Sequence, residues 1–150
     1  MKQVLLCCAA AVALCGALAA GDQTETTTRE ILALERGTLD GWAAGNPDPL
    51  LAITDPDITY FHAVVTRRLD GLAAVKELFD GYRGRPLFTS YEMNEAKVQL
   101  AGEAAILTYV LVSHVGASAT RWNATQVYQH KKEGWRIIHS HWSQVRAPGE

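Results

Sequence analysis

The sequence predicts an α+β domain in which a curved, mainly antiparallel sheet wraps over N-terminal helices, leaving a cone-shaped pocket between the layers. Three observations predict it. Apolar residues recur at helical spacing only in the first part of the chain, in two separate stretches. From residue 88 to residue 145 the pattern is nearly all strand, broken at Gly102-Glu103, Gly116-Ala117-Ser118 and Lys131-Lys132-Glu133-Gly134. The length of 150 residues suits one domain with a substantial core.

Thr27 and Glu30 form a capping box, after which Ile31, Leu34, Thr38 and Trp42 follow at helical intervals. Gly45-Asn46-Pro47 stops that helix, and 48–53 adds a short helical turn. Ile58, Tyr60 and His62 alternate on one face of a strand, and 64–69 reads as its partner, closing at Asp70-Gly71. A second helix over 72–82 carries Leu72, Val75, Leu78 and Phe79 on one side and ends at Gly81, Gly84 and Pro86. Four long strands complete the chain, over 88–100, 104–115, 120–130 and 135–145.

The first twenty residues stand apart. Lys2 precedes an apolar run from Val4 to Ala20 that ends in Ala17-Leu18-Ala19, the small-x-small form of a signal-peptidase site. The expected organisation is a signal peptide over 1–20 with cleavage near Ala19/Ala20, a polar leader over 21–27, the domain over 28–146 and a tail over 147–150. That implies a periplasmic or secreted protein. A run of about 17 residues is at the short limit for a bilayer span, so no stable membrane insertion is expected after cleavage.

Cys7, Cys8 and Cys15 all lie in this segment, so the mature chain has no thiol for nucleophilic chemistry or metal binding. Taking Lys2 from the 14 basic residues leaves 13 against 16 acidic ones, a formal charge of −3. The basic residues are scattered over turns, which excludes a nucleic-acid groove.

The strand that follows Gly134 reads Trp135-Arg136-Ile137-Ile138-His139-Ser140-His141-Trp142-Ser143. Strict alternation puts His139 and His141 on one face with Ile137 and Trp135, the polar end of an apolar cavity. Trp142 then faces the other way, toward a subunit interface.

Three segments resemble the nuclear transport factor 2-like superfamily, close to SnoaL-like domains and the association domain of calcium/calmodulin-dependent protein kinase II. Glu30-Ile31 through Ala44-Gly45-Asn46 is similar to its first helix. Asp55-Pro56-Asp57-Ile58-Thr59-Tyr60-Phe61-His62 is similar to its first strand. Thr125-Gln126-Val127-Tyr128 through Trp135, with His139-Ser140-His141-Trp142-Ser143, is similar to its last two strands.

The resemblance implies that the first and last strands lie side by side. It also implies that His62 falls where ketosteroid isomerases of the superfamily carry their general base. Their oxyanion donors fall at Thr38 and Gln126 here, and neither matching residue is of the required type. The chain is therefore not expected to be a ketosteroid isomerase.

The candidate catalytic residues are His62, His139 and His141, since imidazoles titrate near neutrality. Trp42, Tyr60, Trp122, Gln126, Tyr128 and Thr38 are the candidate ligand contacts, an aromatic wall around one amide. The resemblance directs Gln126 toward the pocket, and strand alternation carries Trp122 and Tyr128 with it. Three histidines are a known zinc set, but no carboxylate converges with them, so neither metal nor cofactor is expected. The leading functional reading is an exported homodimeric protein that binds a small, partly apolar organic molecule. The alternatives are a cofactor-free isomerase, dehydratase or hydrolase using His62 as general base, and an oligomerisation or accessory module.

Overall fold

A computed structural model describes the backbone of residues 4–146 and the side chains of residues 21–146. The signal-peptide and cysteine readings concern side chains outside those described. Helix α1 runs Val4–Ala43, α2 Asp48–Ile53 and α3 Leu72–Asp80. The strands are β1 Thr54–Phe61, β2 Leu69–Asp70, β3 Ser90–Ala101, β4 Ala104–Val115, β5 Ser118–Lys131 and β6 Gly134–Gln144. They form one sheet in the order β2-β1-β6-β5-β4-β3, antiparallel except where β1 runs parallel to β6. This is the α+β cone expected from the sequence, with the first and last strands adjacent.

Two local expectations change. The Thr27–Glu30 capping box does not start a helix, because both residues lie inside α1. The strand expected over 64–69 shrinks to Leu69–Asp70, paired only through Thr59↔Asp70 and Tyr60↔Leu69. Two exposed arginines, Arg67 and Arg68, leave the rest of that segment little to bury.

The core lies between α1, α3 and the inner face of the sheet. Ile31, Leu39 and Trp42 from α1 meet Val75 and Phe79 from α3, Ile58 and Tyr60 from β1, and Leu107, Leu111 and Ile137 from the sheet. Trp42 packs edge-on against Phe79 at 4.9 Å between ring centroids, and Tyr60 does the same at 5.4 Å. These aromatics hold the two helices over the sheet while leaving space between them.

The most consequential irregularity is in β6. Val127 pairs with His139, yet the next residue, Tyr128, pairs with Ile137, so Ile138 is an extra residue on β6. A bulge of this kind reverses which face every later side chain takes. Ile137 before it is fully buried, and after it the buried side continues through Ser140 and the half-buried Trp142.

Gly45 ends α1 at φ +69°, and a Cβ there would lie 2.7 Å from the Arg85 backbone nitrogen. The Gly45 carbonyl also accepts the Gly84 N–H at 2.8 Å. Gly45→Ala is expected to lower stability by about 1–3 kcal/mol in urea unfolding. Gly37→Ala, at an open position of α1, is expected to raise it by about 0.5–1 kcal/mol.

Candidate functional site

A cavity of about 240 Å³ opens between α1, α3 and the inner sheet face. This is just below the roughly 300 Å³ at which ligand pockets usually begin, a size for a small molecule. Trp42 and Leu39 come from α1, Leu78 and Phe79 from α3, Tyr60 from β1, Leu111 from β4, Trp122 from β5 and Trp142 from β6. No lysine, arginine, aspartate or glutamate lines it.

Most of its polar groups are already committed. Thr38 Oγ1 donates to the Glu35 carbonyl at 2.8 Å, and Trp142 Nε1 donates to Ser140 Oγ at 3.1 Å. Ser113 Oγ reaches the Thr120 carbonyl at 3.4 Å. The Val64 N–H donates to His62 Nδ1 at 3.1 Å. That bond makes Nδ1 the acceptor, so the neutral ring carries its proton on Nε2. Burial lowers the His62 pKa, which keeps the ring neutral near pH 7. The ring stacks on Tyr60 at 5.9 Å and lies 5.2 Å from Trp122.

Gln126 is 2 % exposed and forms part of the pocket wall. Its Nε2 donates to Glu35 Oε1 at 3.2 Å, and its Oε1 has no hydrogen-bond partner. Behind it lies the feature that the sequence reading missed. Glu35 is fully buried, and three donors converge on its carboxyl: Tyr109 Oη at 2.5 Å and Gln126 Nε2 on one oxygen, Tyr128 Oη on the other.

Burial pushes the Glu35 pKa up, against the pull of the three hydrogen bonds. Burial, then the neighbouring carboxylate, raises both tyrosine pKa values, so both phenols stay protonated. A signal for Glu35 did exist. It sits midway between Ile31 and Leu39 at intervals of four, a charged residue on the apolar stripe of a helix.

Of the candidate ligand contacts, Trp42, Tyr60, Trp122, Gln126 and Thr38 line the cavity together with His62. Tyr128 shares their sheet face but lies outside the lining, bonded to Glu35. The expectation for the closing strand is corrected by the bulge at Ile138. His139 and His141 turn to the outer face, and Trp142, expected at an interface, turns into the pocket.

On that outer face both imidazoles lie against exposed Phe61, at 6.2 and 5.7 Å between centroids, and Thr59 Oγ1 meets His139 Nδ1 at 2.8 Å. His62 and His141 border one shallow surface pocket that His139 does not line, so the three rings do not converge on one point. Among the described residues no group of three histidine, cysteine, aspartate or glutamate side chains is placed to hold a metal.

The architecture and the pocket define the class, a nuclear transport factor 2-like cone domain. The calcium/calmodulin-dependent protein kinase II association domain model matches residues 27–146, and the chain belongs to that family. No curated protein matches the sequence.

Among solved structures, it is similar to a candidate ketosteroid isomerase from Parabacteroides distasonis, with 29% identity, TM-score 0.70, and coverage of 80% of this chain and 88% of the other. It is similar to the hub of S. rosetta calcium/calmodulin-dependent protein kinase II, with 26% identity, TM-score 0.65, and coverage of 78% of this chain and 95% of the other. A nuclear transport factor 2-like protein of unknown function from Pseudomonas putida shares the fold at 20% identity and TM-score 0.73, over 83% of this chain and 91% of that one.

Glu35 and His62 carry opposite pH signatures. The folded pKa of Glu35 lies above its ordinary 4.5, so its stabilising contribution is full below that value and is lost as pH rises through the folded one. The folded pKa of His62 lies below its ordinary 6.5, so its contribution holds above that value and is lost as pH falls through the folded one. Urea midpoints measured at about pH 8 and pH 5 are expected to show wild type gaining on Glu35→Gln as pH falls, and losing on His62→Gln. Glu35→Ala, which strands three buried donors, is expected to cost at least about 3 kcal/mol at neutral pH.

Proposed function

We propose that this chain is an exported pocket protein that binds one small, partly apolar organic molecule and acts as a homodimer. The observation that carries the binding reading is the cavity itself, walled by aromatic rings and closed at one side by an amide whose oxygen has no partner. A buried unpaired acceptor costs roughly 1–3 kcal/mol, which a bound donor relieves. The domain is released by cleavage near Ala19/Ala20, which leaves α1 to start close to residue 21.

The enzymatic alternative draws less support from this geometry. His62 reaches the cavity, but its neutral ring holds the Val64 N–H on Nδ1 and carries a hydrogen on Nε2, a donor rather than a base. Glu35 does not line the cavity. A fold shared with isomerases does not supply the missing acceptor.

Membership of an association-domain family supports the self-association reading. The outer face around Phe61, which is 40 % exposed, gives a second copy an apolar contact opposite the pocket.

Native mass spectrometry of protein purified from its own host is expected to show a retained small molecule at about one per chain, lost in Leu111→Trp, which fills the cavity. Absence of added mass, with no change in tryptophan fluorescence across a library of small aromatic and aliphatic compounds, removes the binding reading. Sedimentation is expected to give a dimer for wild type and a monomer for Phe61→Asp with unchanged ligand retention.

A further inference from the structure

The wall of the cavity specifies the chemistry of its occupant. Gln126 has one donor group and one acceptor, and Glu35 decides which is which. The Glu35 carboxyl already receives two phenol O–H groups and lies behind the pocket wall, so it holds the amide nitrogen at 3.2 Å. The oxygen is left as the acceptor without a partner. While Glu35 is ionised, an amide rotated by half a turn would set its oxygen against a carboxylate oxygen, which is repulsive. The Glu35 carboxyl thus acts on the pocket through Gln126, as a positioning residue.

The other free polar groups each carry a donor hydrogen. The Tyr60 hydroxyl makes no hydrogen bond among the described residues, and burial holds it protonated. The neutral His62 ring offers Nε2–H. No cationic side chain lines the cavity, so an anion entering it gives up its hydration with no opposite charge in return.

Resting on the pocket reading above, we infer that the ligand is an uncharged molecule with an apolar body and one O–H or N–H donor, given to Gln126 Oε1, and that carboxylates of the same shape are excluded. A site built around a buried acceptor discriminates strongly against the analogue that lacks the donor, because the acceptor is then left unpaired.

Three probes built on one p-tolyl body separate the possibilities: 4-methylphenol, 4-methylanisole and 4-methylbenzoate, titrated by calorimetry and by tryptophan fluorescence. Wild type is expected to bind 4-methylphenol about tenfold or more tighter than 4-methylanisole, with no measurable binding of 4-methylbenzoate. Gln126→Met is expected to erase the preference for the phenol.

Glu35→Gln, which frees the amide to rotate, is expected to narrow the preference while the pocket still binds. Equal affinity for the phenol and the ether in wild type, or tighter binding of the benzoate, overturns the inference and leaves the pocket reading standing. No binding of any probe, with no ligand retained from the host, removes the pocket reading and the inference with it. The wild-type comparison is decisive even where a variant fails to fold.

Discussion

The structure turns on one buried carboxyl. Glu35 sits on the inward stripe of α1, fully enclosed, and is held by Tyr109 from β4 and by Gln126 and Tyr128 from β5. Removing a carboxylate from water is costly unless its lone pairs are met, and charge-assisted hydrogen bonds are the strong ones. Three donors from two neighbouring strands meet them here. The contact therefore does more than close a gap in the core. It fixes where α1 lies along the sheet, sets the orientation of the Gln126 amide, and so determines the polar character of the cavity beside it.

A second constraint is the single extra residue in β6. Without Ile138 the closing strand would have carried two imidazoles into the cone and turned Trp142 outward. With it, the cavity gains an aromatic wall and the histidines move to the surface beside Phe61. One inserted residue thus exchanges a titratable pocket for an apolar one. The only imidazole kept in the lining, that of His62, is partly buried and tied down by a backbone N–H, and both effects favour its neutral form.

The two faces of the sheet consequently have different characters. The inner face and the two helices enclose a space with aromatic rings, few free polar groups and no formal charge in its lining. The outer face presents Phe61, His139 and His141 to solvent or to a second copy. The proposed self-association and the proposed small-molecule pocket are compatible, because they call on opposite sides of one sheet.

Much of this was legible in the chain. The strand pattern from residue 88 onward predicted the four long strands to within two residues at every end. The stripe through Ile31, Leu34, Thr38 and Trp42 predicted the inward face of α1, with Leu34 only partly buried, and alternation alone put Trp122, Gln126 and Tyr128 on one side of β5. Such patterns are local: each depends only on the repeat of a helix or strand and on which residues prefer to leave water.

What the sequence by itself determined, then, was the order of elements, the fold class and part of the cavity wall: Thr38, Trp42, Tyr60, His62, Trp122 and Gln126. The tertiary structure alone decided the rest. A bulge depends on the pairing partner, so nothing in Ile137-Ile138-His139 announces that the alternation breaks there. A glutamate on an apolar stripe reads as a misplaced charge until two tyrosines and an amide, more than seventy residues away, are folded onto it. Both are long-range facts, set by which strands lie side by side, and both decide what the pocket is able to hold.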